Sequence, residues 1–216
     1  MKKLLILTLS FVMLSTYAQK GKYNVADQFK DFKGFLITET GDTVKGTVKI
    51  LDMFQMQMYP PFKADDTSLP SQIGGRDNSK YYESENGTKW YSTKFTNLKA
   101  PDDPKKPGGP TPQTFLLTIE GGPITLFDYN FLDESVSPTK NEIKSYMQLQ
   151  NGDLVEVASL LLGFPKKMSG WVSDYPELAK KIADKEKGYG VLGLNAIVRE
   201  YNAWYIAKNP GFSMLK

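Results

Sequence analysis

Two short stretches of this 216-residue chain carry side chains whose types and spacing suit a chemical task. Tyr81, Glu83, Glu85 and Trp90 set flat aromatic rings beside carboxylates. Such a set can serve as a sugar platform, the rings packing on apolar C–H faces and the oxygens binding hydroxyls. Met53, Met56 and Met58 form Met-x-x-Met-x-Met, with Phe54, Tyr59 and Phe62 close by. Soft thioethers at this spacing suit Cu(I). Each set also has a packing reading. The aromatics would fill one core face and one face covered by C-terminal helices or by a Pro-rich loop. The methionines would form an apolar strand edge or an adaptable interface. A third set, Asp128, Asn130, Asp133 and Glu134, collects oxygen ligands, as do Asp65-Asp66 and Asp102-Asp103. It lacks the Gly and terminal bidentate Glu of an EF-hand loop, and solvated strand ends explain it equally.

The chain contains no His and no Cys. Ser-His-Asp and Cys-His nucleophile systems, the usual zinc sites and imidazole bases are therefore excluded. An enzyme would have to use carboxylate pairs, Ser-Lys, Tyr or a hard metal, and carboxylate pairs for glycoside hydrolysis can be drawn from the acids above. No cofactor is expected. With 27 Lys and Arg against 24 Asp and Glu, the charge of +3 leaves no electrostatic footprint for nucleic acid.

Several elements must position these groups. Residues 1–18 read as a signal peptide: Lys2 and Lys3 precede an apolar run from Leu4 to Leu14, and Thr16-Tyr17-Ala18 offers a small-residue cleavage site before Gln19. The expected address is periplasmic or extracellular. No membrane span should remain after cleavage, and the absence of Cys removes any lipobox anchor.

Residues 19–157 read as a β-hairpin-rich domain. In the first hairpin, a two-residue turn at Gly41-Asp42 would pair Phe35 with Val48 and Glu39 with Val44, giving a face of Phe35, Ile37, Val44 and Val48. In the second, a two-residue turn at Asn86-Gly87 would set Glu83 opposite Trp90 and Tyr82 opposite Tyr91. Tyr81, Trp90, Glu83 and Glu85 would then share one face. The third turns at Gly121-Gly122 and has apolar residues on both faces; the fourth turns at Asn151-Gly152. Residues 100–112 form a Pro-rich loop between the second and third hairpins.

Residues 158–216 change period from two to about 3.6 and should form a helical region packed on the sheet. Asp174 is placed to cap a helix entered through Pro176, and Leu194 to Tyr205 form the last helix, ended by Pro210-Gly211. A shorter helix between Val157 and Val172 would be interrupted at Pro165. The expected fold is α+β: an antiparallel β-sheet or partly closed barrel of hairpins, followed by two or three C-terminal helices.

The order of the leader, Gly34-Phe35-Leu36-Ile37-Thr38 with Gly41-Asp42-Thr43-Val44-Lys45-Gly46, the Phe115 to Asn130 hairpin, Asp174-Tyr175-Pro176-Glu177-Leu178-Ala179 and Ile197-Val198-Arg199-Glu200-Tyr201-Asn202 resembles a group of uncharacterised secreted proteins of Bacteroidota. The resemblance implies an extracytoplasmic address and brings no catalytic residues. The expected function is a non-enzymatic secreted cell-envelope protein, a binding or accessory module with an envelope protein or glycan as partner. The alternatives are a carboxylate-based hydrolase of envelope polysaccharide or peptide, and a structural or assembly accessory of an outer-membrane complex.

Overall fold

The computed structural model describes residues 23–58, 60–67, 78–94, 113–133, 140–149 and 154–214. The leader and the Pro-rich loop at 100–112 lie outside the described residues. The fold is α+β. Among the described residues nine strands form one sheet: β1 Asp31–Thr38, β2 Thr43–Lys49, β3 Phe62–Ala64, β4 Ser79–Ser84, β5 Lys89–Lys94, β6 Gln113–Glu120, β7 Ile124–Asp133, β8 Lys140–Leu149 and β9 Leu154–Glu156. The order β3-β2-β1-β4-β5-β6-β7-β8-β9 leaves β3 and β9 as edges, so the antiparallel sheet is open, not a barrel. Both edge strands have only three residues, which limits pairing with foreign strands. A short helix, α1 Met53–Met58, follows β2, and α2 Phe164–Trp171, α3 Pro176–Ala183 and α4 Leu194–Lys208 follow the sheet. Among the described residues no helix is long and apolar enough to cross a membrane.

The chain divides into two compact units. The first comprises residues 21–119 and 127–145. Its core gathers Leu36, Val48, Ile50, Met56, Tyr82, Trp90, Phe115 and Leu117, with Phe32, Val44 and Phe62 packed against them. Apart from Ile50 and Met56, these residues sit at alternating positions of β1, β2, β4, β5 and β6, which places them on one face of the sheet.

The first two hairpins have longer turns than expected, and each shifts its register. In the first, Leu36 pairs with Val44 and Phe35 with Lys45. The Thr38 N–H donates to Asp42 O at 3.0 Å, and Asp42 N–H donates to the Thr38 hydroxyl at 3.0 Å. Thr40 donates to Asp42 at 2.6 Å, and only Gly41 takes a positive φ, +93°. These side chains hold a three-residue loop, Glu39 to Gly41, and the odd shift turns Phe35 away from the core face that holds Leu36, Val44 and Val48. In the second hairpin Tyr82 pairs with Trp90, Tyr81 with Tyr91 and Glu83 with Lys89. Asn86 Oδ1 accepts from the Ser84 hydroxyl at 2.7 Å and from Thr88 N–H at 3.1 Å, while Gly87 alone is left-handed. The loop therefore has three residues, with Gly in the final position, in place of the expected two-residue turn, which needs positive φ twice.

The expected strand edge at the methionines is instead α1. Asp52 caps it, its Oδ1 accepting from Phe54 and Gln55 N–H at 3.0 Å each. Gln57 extends from this helix to β7, donating to Asn130 O at 2.7 Å and accepting from Asn130 N–H at 2.6 Å. Its side-chain amide satisfies that backbone as a neighbouring strand would.

The second unit comprises residues 120–126 and 146–214. The fourth hairpin is present, Met147 pairing with Val155. Pro165 opens α2 after left-handed Gly163 where an interruption was expected, because Pro is tolerated in a first helical turn. Asp174 does not cap α3; Tyr175 holds that position without a side-chain bond, and Asp174 accepts from the Tyr201 hydroxyl at 3.1 Å. The polar residues of the Arg199-Glu200-Tyr201-Asn202 run are thus structural. Arg199 pairs with buried Glu120, and Glu200 accepts from Lys181 at 3.1 Å and Tyr189 at 3.0 Å. Asn202 donates to Ile124 O at 2.7 Å and accepts from Ile124 N–H at 3.0 Å, gripping the third hairpin at its turn.

Candidate ligand groove on strands β1, β2 and β4

On the face of β1, β2 and β4 opposite the core, the register builds rows of side chains. Phe35 lies between Lys45 and Glu83, and Ile37 between Thr43 and Tyr81. The Lys33 and Glu85 backbones bond as the next pair, Glu85 N–H donating to Lys33 O at 2.8 Å. A groove of about 300 Å³ opens here, lined by Lys33, Phe35, Thr43, Lys45, Glu83 and Glu85, with the backbone of Gly34 and Ser84 at its base. Gly34 is required there: a Cβ at this position would lie 2.2 Å from Glu83 O. Phe35 begins an aromatic row, its ring 6.0 Å from Tyr81, with Tyr91 paired to Tyr81 and stacked on Phe127 at 5.8 Å. Phe127 is fully buried and Phe35 half-buried, so the row runs from the interior to the groove.

The charges around Phe35 differ in how far they are committed. Glu83 accepts from the Tyr81 hydroxyl at 2.7 Å and from Lys89 at 3.2 Å. Burial, then the Glu83 charge and hydrogen bond, push the Tyr81 hydroxyl well above the usual tyrosine range, so it remains a proton donor. Lys33 pairs with Asp65 at 2.8 Å. Glu85 Oε1 accepts from Lys33 N–H at 3.2 Å. Lys45 is exposed and pairs with no carboxylate among the described residues. Lys45 and Glu85 therefore stand on opposite walls, β2 and the end of β4, with charge to offer a ligand. Such a site can bind and orient a molecule with an apolar middle and polar ends.

The structure separates the residues of the expected sugar platform. Tyr81 and Glu83 share a face and a hydrogen bond, and Glu85 lies at the groove rim. Trp90 sits in the core at 1% exposure, with Tyr23 edge-on at 6.5 Å. A two-residue turn would have put Trp90 with Tyr81; the three-residue loop puts it with Tyr82. Tyr82 is also buried, its hydroxyl pushed up to about 12 by that burial. Phe35 and Lys45, which sequence reasoning assigned no binding role, take Trp90's place beside the carboxylates. Thr38 and Asp42, able to bond across the first turn, were the signal for that register.

The methionines do not converge. Met56 is fully buried, Met53 packs against the same core, and Met58 is half-exposed. At about 100° per helical residue, Met58 points well away from the other two. Asp128 accepts from the Ser145 hydroxyl at 2.7 Å, and burial raises its pKa while that bond lowers it. Among the described residues no group of three acidic side chains is placed to hold a metal ion. A second aromatic set lies on α4, where Trp204 stacks on Tyr175 at 4.6 Å and Lys208 sits over its ring at 4.4 Å. Those partners occupy the Trp204 ring.

No protein-family model, curated protein or solved structure matches the chain.

Proposed function

We propose that the protein is a non-enzymatic secreted cell-envelope protein, a binding or accessory module that holds its ligand in the Phe35 groove. The observation that carries this reading is an apolar surface left open in a sheet face whose continuation is buried, rimmed by charges of both signs. A volume of about 300 Å³ lies at the lower end of small-ligand sites. Glu83 supports binding more than catalysis, since both its oxygens already accept from Tyr81 and Lys89. The Lys2-Lys3 leader and the absence of Cys support a periplasmic or extracellular address without a lipid anchor. An envelope peptide or glycan is the partner class.

The test is a thermal-shift screen of the purified protein against envelope peptides and glycan fragments. A ligand at 100 times its dissociation constant adds about 2.7 kcal/mol of stability. The expected result is a shift that Phe35→Ala abolishes while leaving the variant folded. A shift of equal size in Phe35→Ala would place binding elsewhere.

A further inference from the structure

Resting on the groove as the ligand site, we propose that its ligand is a short peptide with both ends free. The peptide carboxylate meets Lys45, its ammonium group meets Glu85, and its central side chain packs on the Phe35 ring. The inference follows from which charges are already used. Of the groove cations, Lys33 is held by Asp65 at 2.8 Å. Of the groove carboxylates, Glu83 is held by Lys89 at 3.2 Å and Tyr81 at 2.7 Å. Lys45 pairs with no carboxylate among the described residues, and exposed Glu85 has one oxygen beyond its contact with Lys33 N–H. One cation and one anion therefore remain, on opposite sides of an aromatic ring.

Their spacing selects the length of the occupant. Lys45 pairs with Phe35 across β1 and β2. Glu85 lies across β1 and β4, beside Lys33 and so two positions along β1 from Phe35. With strands about 4.8 Å apart and a rise of about 3.4 Å per residue, the two Cα atoms are separated by roughly 12 Å. A tripeptide, extending about 3.3–3.6 Å per residue, reaches roughly 10 Å. Two flexible side chains leaning inward close the difference. A free glycan has no charged ends to match this pair, and a single amino acid is too short to span it.

The probe is alanyl-leucyl-alanine with free ends, its N-acetylated form and its C-amidated form, titrated calorimetrically into the full protein and followed by amide chemical shifts. The free peptide should bind, moving the amides of Phe35, Thr43 and Lys45. Each blocking group should weaken binding about five-fold or more. Lys45→Ala should bind free and amidated peptides equally, and Glu85→Gln free and acetylated peptides equally. Both side chains are exposed, and unchanged melting temperatures confirm that the variants fold. Equal binding of blocked and free peptides by the wild-type protein would overturn the assignment of the ends. If a glycan fragment moves the groove amides and the peptide does not, the peptide class fails and the groove stands. If the peptide binds and the moving amides lie outside the groove, both fail.

Discussion

Asn202 shows how much one side chain can hold. It donates to Ile124 O at 2.7 Å, accepts from Ile124 N–H at 3.0 Å and lies where a Cβ on Gly122 would go, 2.5 Å from its Cγ. Asn202→Ala leaves buried backbone groups unpaired and should cost about 1–3 kcal/mol in denaturant unfolding. Gly122→Ala should destabilise by clash, and the double variant by less than the sum, since removing the Asn202 amide makes room. Additive losses would contradict the contact. Asp128 gives a prediction of opposite sign. Its folded pKa is raised above 3.8 by burial, so its contribution to stability is fully present below 3.8 and is lost as pH rises through the folded value. Asp128→Asn, whose side-chain oxygen can still accept from Ser145, should therefore gain in melting temperature over the wild type as pH rises from 4 to 7. A gap that stays flat or narrows with pH would contradict the buried, charge-disfavouring site.

Elements were more legible in the sequence than the register joining them. The hairpins and the C-terminal helices follow from apolar period and turn residues, because those signals are local. The register depends on loop length, and there Asn86-Gly87 misled: Asn86 uses its side chain to bracket the turn, so the left-handed conformation is needed only at Gly87. One residue of loop moved Trp90 from the expected binding face to the core. The methionine run misled in the same way, since its alternation fits a strand for a few residues and only the Asp52 cap marks a helix. A six-residue helix has no independent stability. Asp52→Ala should cost about 1 kcal/mol by thermal melting, and a null effect would show that Met56 packing alone holds α1. Gly34→Ala should be far more damaging, because its Cβ meets the Glu83 carbonyl at 2.2 Å and the central strands would have to part.

For the whole molecule, the groove was only partly legible: Glu83, Glu85 and Tyr81 stand at or beside it, whereas Phe35 and Lys45 came from the register that the turn residues set. The proposed division of labour gives Trp90 to stability and Phe35 to binding. Trp90→Ala should cost about 3–5 kcal/mol through the cavity it leaves. The most direct measurement is a two-dimensional amide and indole spectrum of the wild-type protein before and after adding the ligand that the thermal screen returns. Binding in the Phe35 groove should move the amides of residues 33–35, 43–45 and 83–85 while the Trp90 indole N–H stays in place. Movement centred on the Trp90 indole, or on Tyr175 and Trp204, would contradict it.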